Sequence, residues 1–423
     1  MPKLKRVINL WELTLAGIGI ILGAGIYVII GQASGLAGNG LWLAFILAAL
    51  TALFTGLTYA ELSSRYPQSG SVYIYLTKAF NNKLLSYLIS WFMIFGGIIA
   101  ASTVALGFAG YLSAFTGLNT VLIGMTLILM CGVILIYGVK ESAWFAIICS
   151  LIEVGGLILI IIMGIPFIGS IDYLDIPSIG GIIGAASLVF FAFIGFEDMV
   201  NMAEEVKNPI KNMPKALLLS ISISTILYVL VAISAVSVVG WETLSQSDAP
   251  LALVAQTAFG DLSYTVLGYI ALFATANTVL LVLMGISRLV YGMAVKKILP
   301  GFLGLIHKTR RTPWASILIL VILSMLFVYF GKEIKTVAGL TNASILIVFT
   351  MVNLSIIHIR YKERNKKIKG KHFKIPLNIG WLPILPVFGL VTCILLFVNI
   401  ETIYILYALA SLIPAVIVYL FIK

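Results

Sequence analysis

Ala16-Gly17-Ile18-Gly19-Ile20-Ile21-Leu22-Gly23-Ala24-Gly25-Ile26-Tyr27 and Phe190-Phe191-Ala192-Phe193-Ile194-Gly195-Phe196-Glu197-Asp198 are the two stretches that decide the fold. Each lies inside a long apolar run and interrupts it. A glycine in a helix interior costs about 1 kcal/mol relative to alanine, so Gly17, Gly19, Gly23 and Gly25 mark a candidate break. The other reading of the same residues is close packing, since Gly19 and Gly23 form a GxxxG pair. The second stretch passes from aromatic residues into Gly195 and then into two acids at membrane depth. Charges there are costly and are functional candidates by default.

The composition around these stretches excludes a water-soluble chain. Of 423 residues, 61% are hydrophobic and 10% charged, against about 25% charged in soluble domains. Most of the surface must therefore face lipid. A net charge of +11 does not signal nucleic acid, because the basic residues fall between apolar runs, where positive-inside loops put them. Cys131, Cys149 and Cys393 lie inside apolar runs without zinc spacing, and His307, His358 and His372 form no metal pair. No metal and no cofactor is expected. The Walker lysine, HExxH and GxSxG motifs are absent, so nothing points to ATP-driven transport or to an enzyme.

Twelve apolar runs can be counted, over 10–34, 40–62, 84–113, 120–138, 144–169, 180–203, 214–240, 262–295, 313–330, 336–359, 379–399 and 402–422. Charge tests the count. With the N-terminus inside, the tails and even-numbered loops collect all 27 Lys and Arg except Lys332 and Lys335, counting Arg288 as the cytoplasmic end of its helix. The outer loops hold Asp172, Asp175, Glu242, Asp248, Asp261 and Glu333. One helix more or fewer would flip every later loop and destroy this asymmetry. The expectation is an all-α, multi-pass protein of the cell membrane with both termini cytoplasmic. The first run is too long for a signal-peptide core and reads as a retained span. Residues 63–83 read as an interfacial helix, 242–260 as an outer cap, and 360–374 as a basic run that sets topology or lies against anionic headgroups.

Spans one and six are five helices apart, so a second five-helix unit enters from the opposite side. Broken helices at matching positions of two inverted units point to the midplane site of a secondary transporter. The expected organisation is an N-terminal tail (1–9), a first repeat (10–169), a second repeat (180–359), a basic loop (360–378) and two further helices (379–423). The N-terminus of a half-helix offers N–H groups and partial positive charge to a carboxylate. Freed carbonyls suit an ammonium. A site with both poles fits an amino acid zwitterion.

At these residues the chain resembles the amino acid–polyamine–organocation (APC) superfamily, nearest the permeases related to cationic amino acid transporters. Gly23-Ala24-Gly25-Ile26-Tyr27 is similar to the family's glycine motif. Tyr59-Ala60-Glu61-Leu62-Ser63-Ser64-Arg65-Tyr66-Pro67-Gln68-Ser69-Gly70 is similar to its motif after span two. Phe193-Ile194-Gly195-Phe196-Glu197 with Glu204-Glu205-Val206-Lys207-Asn208-Pro209 resembles its sixth span and following loop. Ser287-Arg288-Leu289-Val290-Tyr291-Gly292-Met293-Ala294 with Thr312-Pro313 resembles its eighth span and loop. The motifs run in order from about residue 8 to 330. The resemblance implies the five-plus-five inverted-repeat (LeuT-like) fold with broken helices 1 and 6 and two C-terminal helices. It implies that backbone amides near Gly23, Ala24, Gly25 and Ile26 hold a carboxylate, and that carbonyls of Phe191, Ala192 and Ile194 take the amino group. Phe193 and Phe196 would flank the side chain or gate the site.

Two departures stand out. Many relatives carry a lysine in span five, where sodium-driven cousins bind their ion; here Glu153 stands at the similar position. The acid that cationic-type relatives often have in span three is absent between Leu84 and Ser113, which argues against lysine or arginine as substrate. A lone carboxylate in low dielectric is costly as an anion, so Glu153 is either the proton-coupling group, a cation ligand, or a neutral acid bonded to nearby backbone. Glu197 continues the Gly-Phe motif and faces the site, or else joins Asp198 in solvating an inner half-helix. Glu12, three after Asn9, fits a capping box. Glu61 and Arg65 fit an i,i+4 pair. Thr275, Asn277 and Thr278 line the path, meet Glu153, or bond between helices.

The expected function is secondary active transport of an amino acid by alternating access, with the proton as coupling ion and small molecule and lipid as the partners. An exchanger, a sodium-coupled or polyamine transporter of the same fold, and a non-transporting amino acid sensor are the alternatives.

Overall fold

The protein is described by a computed structural model over residues 4–247, 249–330, 334–365 and 372–422. Lys3, Asp248, Lys332, Glu333, Lys366, Lys367, Lys369, Lys371 and Lys423, which entered the charge count, lie outside the described residues. The chain is almost wholly helical. Its first helices are α1 (Leu10–Leu22), α2 (Ala24–Ala37), α3 (Leu41–Arg65), α4 (Ser71–Phe80), α5 (Lys83–Thr116), α6 (Thr120–Tyr137) and α7 (Val139–Gly164). Then follow α8 (Ile179–Val189), α9 (Phe196–Asn201), α10 (Pro209–Val239), α11 (Trp241–Ser245), α12 (Pro250–Phe259), α13 (Asp261–Val295), α14 (Trp314–Phe330) and α15 (Ile334–Glu363). A two-residue hairpin, β1 (Asn378–Ile379) and β2 (Leu382–Pro383), leads into α16 (Ile384–Val398), α17 (Thr402–Ala410) and α18 (Leu412–Ile422).

Among the described residues, 10 helical segments are long and apolar enough to cross a membrane. Two expected spans fall short: α14 has 17 residues and α16 has 15, about 26 and 23 Å at 1.5 Å per residue, against a hydrocarbon core of about 30 Å. The flanks that hydropathy had assigned to span eleven are the hairpin and its turn. The expected loop over 360–378 also starts later, because α15 runs on to Glu363. Ion pairs account for that extra turn. Arg360 and Arg65 both pair with the buried Glu61, and Arg65 reaches Glu363 at 2.6 Å.

Local chemistry sets several helix starts. The Asn9 side chain accepts from the N–H groups of Trp11 and Glu12, and Glu12 accepts from Asn9 N at 2.8 Å, so the expected capping box is present. Asn82, Asn119 and Ser178 cap α5, α6 and α8 in the same way. The stretch expected as an interfacial helix contains the helix α4, most of it buried, and the stretch expected as an outer cap contains α11 and α12. Below the breaks, residues 7–8 run beside 205–207: Val7 N donates to Glu205 O at 2.9 Å and Lys207 N to Ile8 O at 2.8 Å. A buried Arg288–Glu205 pair at 3.2 Å lies behind this seam.

The core is organised around the interrupted helices. α1 packs on α7, α10 and α13, while α3 packs on α10 and α5 on α13. Large apolar side chains such as Leu122 (66% exposed) and Met130 (58%) point outward, as lipid contact requires.

Candidate functional site

Both expected interruptions are present. α1 ends at Leu22, Gly23 leaves the helical region (φ −49°, ψ −148°), and α2 begins at Ala24. On the other element α8 ends at Val189, Phe190–Phe193 form a 3-10 turn, Ile194 is extended, and Gly195 has φ 124° before α9. A side chain at 195 would be strained there, and its Cβ would fall 2.8 Å from Ile20 Cγ1. The two breaks therefore face each other. A Cβ on Gly25 would collide with the Ala192 backbone. Gly25 and Gly195 serve the close approach of the two breaks, while the GxxxG pair Gly19 and Gly23 packs against Ser150, Asn277 and Thr278 of neighbouring helices.

Tyr228 on α10 joins the breaks. Its hydroxyl lies within hydrogen-bond reach of the carbonyls of Ile21 and Ala192, the latter at 2.9 Å. One proton thus serves two carbonyls freed by two different helix breaks. Phe193 packs on Tyr228 with ring centroids 5.1 Å apart, and Phe196 packs on Tyr59 and Phe349. Both phenylalanines are fully buried. Gly23, Ala24, Gly25 and Ile26 thus form the first turn of α2, where backbone N–H groups lack intrahelical acceptors. Phe191, Ala192 and Ile194 stand opposite. Phe191 O accepts from Ile194 N at 3.2 Å.

Glu197 turns back on its own break, with Oε2 accepting from Gly195 N at 2.9 Å. Its neighbour Asp198 lies against Gly285 of α13. Both acids line a void of about 10 Å³ with Gly96, Gly97 and Thr341, space for about one water. Asp198 Oδ1 and Thr341 Oγ1 have no hydrogen-bond partner among the described residues.

Glu153 lies behind the first break, fully buried on α7. Asn277 Nδ2 donates to its Oε1 at 3.1 Å and to Ser150 Oγ at 3.2 Å. Glu153 Oε2 has no partner among the described residues. The cluster touches the interrupted helix directly: Gly19 abuts Ser150 and Asn277, and Gly23 abuts Thr278. Of the three polar residues on α13, Asn277 meets Glu153, whereas Thr275 and Thr278 bond back to Ala271 O and Ala274 O of their own helix. An unsatisfied carboxylate oxygen is thus held one side chain away from the break.

A family model described as amino acid permease matches residues 8–422. The chain belongs to the amino acid permease family. The resemblance to the APC superfamily seen in the motifs therefore holds across the chain. The branched-chain amino acid permease BcaP of Bacillus subtilis (strain 168) is 30% identical over 99% of this chain and 93% of its own length. The methylthioribose transporter of the same organism is 30% identical, covering 93% of this chain and 88% of that protein. The vacuolar cationic amino acid transporter 4 of Arabidopsis thaliana is 28% identical over 85% of this permease and 64% of its own length. With its many apolar helices, this permease is a multi-pass membrane protein.

The sequence missed two features of the site. Tyr228 gave no signal beyond being a polar-tipped aromatic in the middle of span seven. The Tyr59–Phe196–Phe349 cluster joins three distant segments, and no local pattern announces it.

Proposed function

We propose that this permease is a secondary active transporter of an amino acid, and not an enzyme, with alternating access around the two facing helix breaks. The observation that carries the reading is the approach of Gly25 to Ala192, bridged by Tyr228. The substrate carboxylate binds the first N–H groups of α2, at Gly23, Ala24, Gly25 and Ile26. Its ammonium takes the carbonyls at Phe191, Ala192 and Ile194, in exchange for the Tyr228 hydroxyl on Ala192. Phe193, Phe196 and Glu197 close over it. Binding therefore replaces a hydrogen bond across the breaks with the substrate's own.

The proton is the coupling ion, and Glu153 carries it. Its free Oε2 and its contact with the first break through Asn277 support this role. Losing the proton would leave an uncompensated charge at depth, which favours a state that admits water. The chain sits in the cell membrane as twelve spans with both termini cytoplasmic, the short α14 and α16 being accommodated by local thinning of the bilayer. An inverted five-plus-five repeat is supported by helix pairing: α3 packs on α10, α5 on α13 and α6 on α14, each pair five spans apart. The similarity to the Bacillus subtilis branched-chain amino acid permease also favours an amino acid as cargo.

The test is uptake of labelled amino acids into liposomes containing this protein alone, after a thermal-shift screen has chosen the ligand. Time-dependent accumulation supports transport. Specific binding with no transfer across the bilayer makes the chain a sensor instead.

A further inference from the structure

At the end of the molecule where Glu61 pairs with Arg65 and Arg360, a cavity of about 380 Å³ opens between the start of α10 and residues 372–373. Lys211, Pro214, Lys215 and Leu218 form its α10 wall, and His372 and Phe373 face them. The α10 residues are three or four apart and so share one helix face. Both lysines are exposed. From Lys211 to Leu218 the helix rises about 10 Å, enough to pass from the headgroup layer, about 5–7 Å deep, into hydrocarbon. Lysines and apolar residues alternate along the wall, Ile210-Lys211 and then Pro214-Lys215, and it ends on the apolar Leu218.

The two walls are fixed to each other. Phe373 N donates to Ser64 Oγ at 2.9 Å, and Ser64 Oγ donates to Ile210 O at 3.1 Å. His372 Nε2 is buried without a hydrogen-bond partner among the described residues. The nearby acids do not balance the lysines, because Glu61 and Glu363 are already held by Arg65 and Arg360.

We propose that this cavity binds an anionic phospholipid, with its phosphate on Lys211 and Lys215 and an acyl chain along Pro214, Leu218 and Phe373. The His372 imidazole is pushed below its ordinary range by burial and by the Arg65 guanidinium, so it adds no charge to the lining. A free phosphate would satisfy only the basic half of the lining and leave the apolar half uncovered, so the lipid is the fitting occupant. Basic pockets at the membrane surface of helical proteins recognise such headgroups.

The experiment is native mass spectrometry and thermal shift of the full chain in detergent. The probes are dioleoyl phosphatidylglycerol, dioleoyl phosphatidylcholine and inorganic phosphate. The parent should retain and be stabilised by phosphatidylglycerol alone. K211A/K215A should bind it about 30-fold more weakly, about fivefold per lysine. K78A/K140A, which removes the same charge elsewhere, should bind as the parent does. Equal loss in both double variants would reduce the site to general charge attraction and overturn the proposal. Equal stabilisation by phosphatidylcholine, or by phosphate alone, would also overturn it.

Discussion

Gly25→Ala adds a single methyl group where the two helix breaks meet. Its Cβ would overlap Ala192 Cα and stand 2.6 Å from Ala192 Cβ and 3.1 Å from Ala192 N, where ordinary contact begins at 3.4 Å. One wall must therefore retreat by about 1 Å. Ala192 sits in the 3-10 turn and its carbonyl is held by Tyr228, so that turn does not yield freely. Overpacking of this kind costs about 1–3 kcal/mol, or roughly 5- to 150-fold in an equilibrium. The methyl also shields the N–H groups proposed to hold the carboxylate. Affinity measured by ligand-induced thermal shift should fall by at least about tenfold, and Gly25→Leu should abolish binding, both with near-normal expression. The control is Gly107→Ala on α5, whose Cβ would meet nothing within 4 Å; it should bind as the parent does. Unchanged affinity in Gly25→Ala, or equal loss in Gly107→Ala, would refute the placement of the site.

Tyr228→Phe removes the bridge and leaves two buried carbonyls short of a donor. Unsatisfied buried groups cost about 1–3 kcal/mol each, so the melting temperature without ligand should drop, and saturating substrate should restore part of the loss. Topology is checked with single cysteines: labels at Ser170 and Ser247 should react from outside, and one at Asn365 only from inside.

Much of the fold is legible in the sequence where the cause is local. Helix breaks appear because glycine, aromatic and acidic residues cannot continue an apolar helix cheaply. The Asn9–Glu12 box and the Glu61–Arg65 pair follow from spacing alone. Asn277 could be named as a partner for Glu153 because both are polar residues at the same depth, although two threonines beside it were equally eligible. Position on the helix decided among them. Other features depend on residues far apart in the chain. Arg360 and Glu363 complete the Glu61 cluster across about 300 positions of sequence, and Tyr228 reaches Ile21 across 207 positions. Hydropathy placed α14 to within a residue but overran the start of α16, because an apolar run does not say where a hairpin will cut it. The direction of Glu197, turned back onto Gly195 N, was not readable from its place in a motif.

The central claim is that a proton carried by Glu153 drives accumulation of the amino acid. It is tested by comparing the parent with Glu153→Gln, which keeps an amide near Asn277 but cannot ionise, in liposomes under an inward proton gradient without sodium. The parent should accumulate labelled substrate. The glutamine variant should retain binding and counterflow exchange and lose gradient-driven accumulation. Full proton-driven accumulation by Glu153→Gln, or an absolute sodium requirement in the parent, would contradict the account.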